Sequence, residues 1–383
     1  MVFPQQLTRP SRQALDLFLS MLKNYGELTF RVGSKCTLIG LAYLLDDRTF
    51  GQLSLFLVVE AIVNNISRFG VDRLILKTGE GVIQLPWRRH LVSLALMFGV
   101  MGLTVAITQQ DLWLVLAILS GIVAGQYYLA IVGYRLSNVR KYNRLRATEI
   151  GVRVLILVFA SMQGIDAFSA CMALAYAVLL GTQLKRPSWD PVSQDSLTAY
   201  NKFSLFALYS FVRFLLTGAD RIIIEHSLGT STQGMYSKYL SVVGVMSFAY
   251  LFIGFLYEPK IYVDKGNSSL IKYLSFSSIG NASLFLVMFA CKDLLFTSPD
   301  LTLLGLIGVL FLIYPFEFAF IYHLTKKSRV RVITAQQVVQ LVMVFSAAWL
   351  LGVDRVHDVV IFILAAKAIS LAGGLLYNHV ATV

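Results

Sequence analysis

Apolar stretches of about twenty residues recur along almost the whole chain, and no other feature so restricts what it can fold into. A bilayer core about 30 Å thick takes roughly 20 apolar residues per helical crossing, and helices satisfy their own backbone there. Such stretches read near residues 25–45, 51–69, 90–107, 112–134, 147–162 and 165–184, then 203–224, 234–256, 273–290, 301–324, 333–351 and 359–376. The fifth is weakest, because Glu149 and Arg153 fall inside it. Of 383 residues, 57% are hydrophobic and 14% charged. Soluble domains average about 45–50% and 25%, so no sizeable soluble domain fits between the stretches. The expected fold is an all-α integral membrane protein of about twelve transmembrane helices.

The loops orient these crossings. Arg68, Arg73, Lys77, Arg88 and Arg89 share a side with the cluster Arg135 to Arg146, with Lys185, Arg186 and Lys202, and with Lys260, Lys265, Lys272, Lys326, Lys327, Arg329 and Arg331. The opposite loops read as holding only Arg48, Arg221, Lys292 and Arg355, and as only a few residues long apart from roughly 220–233. Positive loops stay in the cytoplasm, which puts both termini there and assigns the net charge of +12 to topology rather than to nucleic acid.

Residues 185–202 carry Pro187 and Pro191 among Ser and Asp and read as a cytoplasmic linker. They divide an N-lobe, 25–184, from a C-lobe, 203–383, and residues 1–24 read as an interfacial amphipathic segment. Each six-helix lobe enters the membrane in the same direction, so a pseudo-two-fold axis along the membrane normal would relate them. A faint repeat agrees. Leu45, Thr49, Gly51, Ser54 and Phe56 have counterparts at equal offsets in Leu228, Thr232, Gly234, Ser237 and Tyr239.

Charges inside the crossings carry the functional reading, since each costs about 2.5–3.5 kcal/mol at a helix centre. Lys35, Arg213 and Lys367 lie deep. Arg31, Lys238 and Arg153 lie within about two turns of an interface, where a long side chain can snorkel. Arg31, Lys35, Arg213, Lys238 and Lys367 are the candidate substrate-binding cations of a water-filled cavity. Glu60 and Glu317 are candidate coupling or ion-pair residues, and Asp220, with Arg221, reads as an outer latch or a local ion pair. Cations exceed carboxylates, which suits an anionic cargo. Cys36, Cys171 and Cys291 lack ligand spacing and read as buried packing residues; the five histidines are scattered near crossing ends. No metal site, cofactor motif or catalytic constellation is read, and the chain is not expected to be an enzyme.

The stretch Phe50 to Phe56 (FGQLSLF), followed by Arg68 to Arg73 (RFGVDR), resembles the second crossing of Wzx-type polysaccharide flippases of the multidrug/oligosaccharidyl-lipid/polysaccharide (MOP) exporter superfamily. Asp220-Arg221-Ile222-Ile223-Ile224, Leu228-Gly229 and Gly234-Met235-Tyr236-Ser237 resemble a second signature of that family. Phe50 stands where the family usually has tyrosine. The resemblance implies a flippase of the bacterial inner membrane that moves an undecaprenyl-pyrophosphate-linked oligosaccharide for O-antigen or other surface polysaccharide. It also implies a cationic cleft lined by crossings one, two, seven and eight, and partnership with a polymerase and a chain-length regulator. The rival expectations are a multidrug or cation antiporter of the same fold, which would favour an acidic or apolar cavity, and a polysaccharide polymerase or ligase, which would carry a large outer loop.

Overall fold

The computed structural model describes residues 32–68, 112–132, 134, 138–159, 161–183, 194–264, 266–296, 299–326 and 330–380. Expectations for the amphipathic segment, Arg31, the third crossing and the two linker prolines lie outside these residues. The described residues are helical apart from short turns and contain no strand.

The helices are α1 (Val32–Leu44), α2 (Asp47–Ser67), α3 (Leu112–Val132), α4 (Val139–Phe159), α5 (Ile165–Gln183), α6 (Gln194–Leu228), α7 (Thr230–Val243), α8 (Ser247–Val263), α9 (Ser268–Ala290), α10 (Leu301–Lys326), α11 (Val330–Leu351) and α12 (Val356–Val380). A 3-10 turn, Gly244–Met246, joins α7 to α8, and the two make one span over Thr230–Gly254. Eight helices among the described residues are long and apolar enough to cross a membrane. The chain is a multi-pass membrane protein. Leu286 and Val287 on α9, Val342 and Trp349 on α11, and Leu174 and Val178 on α5 are exposed, which is how a helix face solvated by lipid tails must look.

Two separate cores define two lobes. Phe50, Leu53 and Phe56 of α2 pack with Trp113 and Ala117 of α3, Leu157 of α4, and Phe168 and Met172 of α5. In the second lobe, Ala219, Ile223, Tyr236 and Val243 of α6 and α7 pack with Leu303, Ile307, Val360 and Ile363 of α10 and α12. The lobes meet where α2 packs on α7 and α6.

Three local expectations are corrected. Residues 220–233 are not a loop: α6 runs unbroken to Leu228 and α7 starts at Thr230, so Gly229 alone makes the break. Its φ of 84° is a conformation that glycine adopts without a Cβ clash. Arg221 therefore lies inside a helix rather than in an outer loop. At its other end α6 begins at Gln194, so its first turns occupy residues read as linker. Cys36 and Cys171 are exposed rather than buried. A helix face turned to lipid is as apolar as one turned to the core, so the apolar neighbours of a cysteine do not reveal which face it is on.

Candidate functional site

The site is built on the seam between the lobes. Asp46 caps α2, accepting the backbone N–H of Thr49 at 3.3 Å, and Gly229 starts α7 after a single-residue turn. The first turns of the two helices cross so closely that a Cβ at Gly51 would lie 3.1 Å from the Gly234 nitrogen, and one at Gly234 would lie 2.9 Å from the Gly51 nitrogen. Each added Cβ would also strike a backbone oxygen, that of Thr230 for Gly51 and that of Asp47 for Gly234. Backbone cannot swing aside as a side chain can, so only glycine fits at both positions. One turn further on, the Ser54 hydroxyl donates to Ser237 Oγ at 2.9 Å, and Gln233 Nε2 donates to the same oxygen at 3.0 Å.

Glycine meets glycine and serine meets serine, each pair separated by the same 183 positions. Thr230 likewise follows Asp47 by that interval. A contact in which i meets j and the counterparts of both meet in return is the mark of a two-fold axis. The seam is therefore where the pseudo-two-fold passes between the lobes. Lys238 breaks the symmetry. Its Nζ forms an ion pair with Asp47 Oδ1 at 2.8 Å and donates to the Leu45 carbonyl at 2.7 Å. The Tyr43 hydroxyl adds a bond to the Leu295 carbonyl at 2.7 Å. These contacts join the lobes at the end remote from Arg68 and Lys260.

In the C-lobe, Lys367 Nζ donates to Glu317 Oε2 at 2.5 Å, and both residues are buried. The ammonium also lies 4.8 Å from the centre of the Tyr314 ring. Arg213 donates to the Tyr209 hydroxyl at 2.9 Å and lies 4.9 Å from the Phe318 ring centre. Tyr250 packs on both Tyr314 and Phe318, with ring centres 5.8 and 5.2 Å apart. Cations held against aromatic faces and hydroxyls keep part of their solvation inside a bilayer.

In the N-lobe, Glu60 on α2 is 1% exposed and accepts a hydrogen bond from Arg153 Nη2 at 2.6 Å. Arg153 Nη1 also donates to the Tyr176 hydroxyl at 3.4 Å. The second oxygen, Glu60 Oε1, is buried without a hydrogen-bond partner among the described residues. Arg146 and Glu149 form a neighbouring pair on α4. Arg153, expected to snorkel to the interface, turns inward to Glu60 instead. The signal available in the sequence was the excess of charge in the fifth crossing, since an apolar span keeps a charge only where something holds it.

The four expected cations among the described residues have different surroundings. Arg31 lies outside the described residues. Lys238 belongs to the seam latch, Lys367 is neutralised by Glu317, and Arg213 lies among aromatic rings. Lys35 is at the seam itself, its Nζ 3.6 Å from where a Cβ of Gly244 would stand. Among the described residues it has no carboxylate within ion-pair distance. The Asp220 carboxylate accepts from the Tyr236 hydroxyl at 2.7 Å and from the Arg221 backbone N–H at 2.8 Å. No ion pair joins it to the Arg221 guanidinium, because neighbouring residues on a helix point in different directions. Among the described residues no group of three or more His, Cys, Asp or Glu could hold a metal ion.

No protein-family model matches the sequence, and no curated protein matches it. The architecture does match solved structures. The inward-facing conformation of a multidrug resistance MATE family transporter of the MOP superfamily superposes with a TM-score of 0.61 at 12% identity, covering 93% of this chain and 94% of that one. This chain shares the fold of that transporter. A MATE transporter in complex with MaL6 gives 0.55 at 12% identity over 91% and 92% of the two chains. The eukaryotic MATE transporter AtDTX14 gives 0.52 at 11% identity over 93% and 96%. The MATE-like fold has twelve helices in two lobes, the architecture expected from the sequence. Its two-lobe plan accounts for the two cores and for the seam.

Proposed function

We propose that the chain is an alternating-access transporter that flips a polyprenyl-pyrophosphate-linked oligosaccharide across a bacterial inner membrane, with both termini cytoplasmic. The observation that carries the anionic cargo is Lys35. It is a deep cation at the seam between the lobes, with no carboxylate near it among the described residues, so its charge is available to a ligand. The MATE-like fold supports a transporter, and the basic loops support the orientation. On that orientation the Gly51–Gly234 crossing and the Lys238 latch close the outer end, and transport requires them to part while the other end closes. A polymerase and a chain-length regulator are the partners this function would need.

The test is deletion and complementation in a host making long-chain surface polysaccharide. Loss of the polymer with accumulation of lipid-linked repeat units supports the proposal, and an unchanged surface polymer rejects it.

A second reading, export of cationic drugs, draws on the aromatic group of Tyr250, Tyr314 and Phe318 and on the unpartnered oxygen of Glu60. It predicts ethidium efflux from cells expressing the chain, with surface polysaccharide unaffected by its loss.

A further inference from the structure

We propose that His357 and Asp300 form a proton-sensitive clasp at the outer end, which holds the lobes together at acid external pH and loosens as the imidazole loses its proton. The proposal goes beyond the cargo reading and takes from it only the orientation of the chain.

The clasp is a run of contacts from α12 to the other lobe. His357, in the first turn of α12, places Nε2 3.1 Å from Asp300 Oδ2. The other carboxylate oxygen of Asp300 caps α10, accepting the Leu303 backbone N–H at 2.9 Å. The Asp300 backbone N–H donates to the Tyr239 hydroxyl on α7 at 2.8 Å. The Tyr239 ring stacks on Phe296, with ring centres 4.3 Å apart and planes 10° from parallel. Leu295, the residue before Phe296, accepts at its carbonyl from the Tyr43 hydroxyl at 2.7 Å. Tyr43 lies on α1, which joins the N-lobe core through Leu41 and Ala42. Lys238, the neighbour of Tyr239 on α7, reaches that lobe directly at Asp47 and Leu45. The clasp therefore steadies the helix that carries the Lys238 latch.

Histidine is the side chain whose charge ordinarily changes between pH 5 and 8. Burial pushes the Asp300 carboxyl up, but the Leu303 backbone N–H and the His357 side chain outweigh it and hold the group below the usual carboxylate range. Asp300 is thus ionised wherever the imidazole titrates. An imidazolium makes a charge-assisted bond to it, and a neutral imidazole makes at best one of about half the strength. A histidine that gains a carboxylate on closure binds its proton more tightly in the closed form. Closure is favoured below histidine's ordinary value of about 6.5, and that advantage is lost as pH rises through the closed-form value. The two side chains are 25% and 41% exposed, so external protons reach them. A pair this open to water should change the closed population about two- to five-fold.

The neighbouring charges are engaged elsewhere. Asp358 accepts the backbone N–H groups of Asp354 and Arg355 at 3.1 and 2.8 Å. On α6, which packs on α12, Glu225 accepts from the Thr230 hydroxyl at 2.7 Å, and His226 is exposed. Lys292 pairs with Asp293 at 3.0 Å, and α11 carries no charge after Arg331.

The test uses purified full-length protein with Cys36, Cys171 and Cys291 replaced by Ser. Spin labels at Arg48→Cys and Asp293→Cys, exposed positions on the two lobes, report the distance across the outer end by pulsed electron resonance. The ratio of short to long distances should be about two- to five-fold greater at pH 5.5 than at pH 8. His357→Gln should abolish that dependence, and His357→Lys, charged at both pH values, should keep the short distance at both. His226→Gln should titrate like the unaltered protein. Equal distributions at the two pH values in unaltered protein overturn the clasp, as does a pH dependence that survives in His357→Gln or His357→Lys. Since no cargo is present, such a failure leaves the cargo reading untouched. Labelling of Asp293→Cys by a membrane-impermeant maleimide in spheroplasts is expected from the orientation. Labelling only after the membrane is opened overturns the placement of the clasp on the outside.

Discussion

Ser54 and Ser237 share a hydrogen bond of 2.9 Å across the seam, and each is the counterpart of the other in the two halves of the chain. A repeat that meets itself in this way places the two-fold axis between two hydroxyl groups. It also supplies a reporter for whether the seam opens.

In a background with Cys36, Cys171 and Cys291 replaced by Ser, the double variant Ser54→Cys/Ser237→Cys should cross-link on mild oxidation. The hydroxyl contact brings the two Cβ atoms close to the range of about 3.5–4.5 Å that a disulfide spans. Transport should stop on oxidation and return on reduction. Full transport by cross-linked protein would show that the seam need not open.

Gly234→Ala places a methyl group against the Asp47 carbonyl and should push α7 off α2, at a cost of about 1–3 kcal/mol. The same variant should leave a cysteine at Ser237 more reactive to a water-soluble thiol reagent. Unchanged reactivity would mean that the close crossing does not hold the seam shut.

Removing one partner of the buried Glu60–Arg153 pair should destabilise the N-lobe by about 3–5 kcal/mol, because an uncompensated charge is left inside. Thermal unfolding in detergent should show a large loss for Arg153→Met and a smaller one for Arg153→Met/Glu60→Leu. If the double variant is no more stable than the single, the cost is not electrostatic.

The Asp46 cap should make the start of α2 sensitive to acid. Hydrogen bonding from the Thr49 hydroxyl, with its backbone N–H, holds the Asp46 carboxyl below the usual carboxylate range. A depressed folded-state value gives stability that is full above the unfolded value of about 3.9 and is lost as pH falls through the folded value. Asp46→Ala should cost about 1 kcal/mol at neutral pH, and its deficit against the unaltered protein should shrink toward pH 3. Amide exchange at Thr49 and Phe50 would report this. A deficit that does not change with pH would exclude the carboxylate as the cap.

The membrane class, the positions of most crossings and the division into two lobes were legible in the sequence because they depend on properties local to each segment. Length and apolarity decide whether a helix can cross, and loop charge decides which way it faces. Even the seam left a trace, since Gly51, Ser54, Gly234 and Ser237 stand at equal intervals. What the sequence could not determine was which charges meet. Lys367 and Glu317 are 50 positions apart and Arg153 and Glu60 are 93 apart. Whether each faces its partner depends on the rotation of one helix against another, and residues one position apart point about 100° away from each other. Arg221 shows the same limit, since sequence alone put it in an outer loop beside Asp220. The packing of α6 against α7 turned Asp220 toward Tyr236 and left Arg221 without an ion pair among the described residues, and only the tertiary structure could decide that.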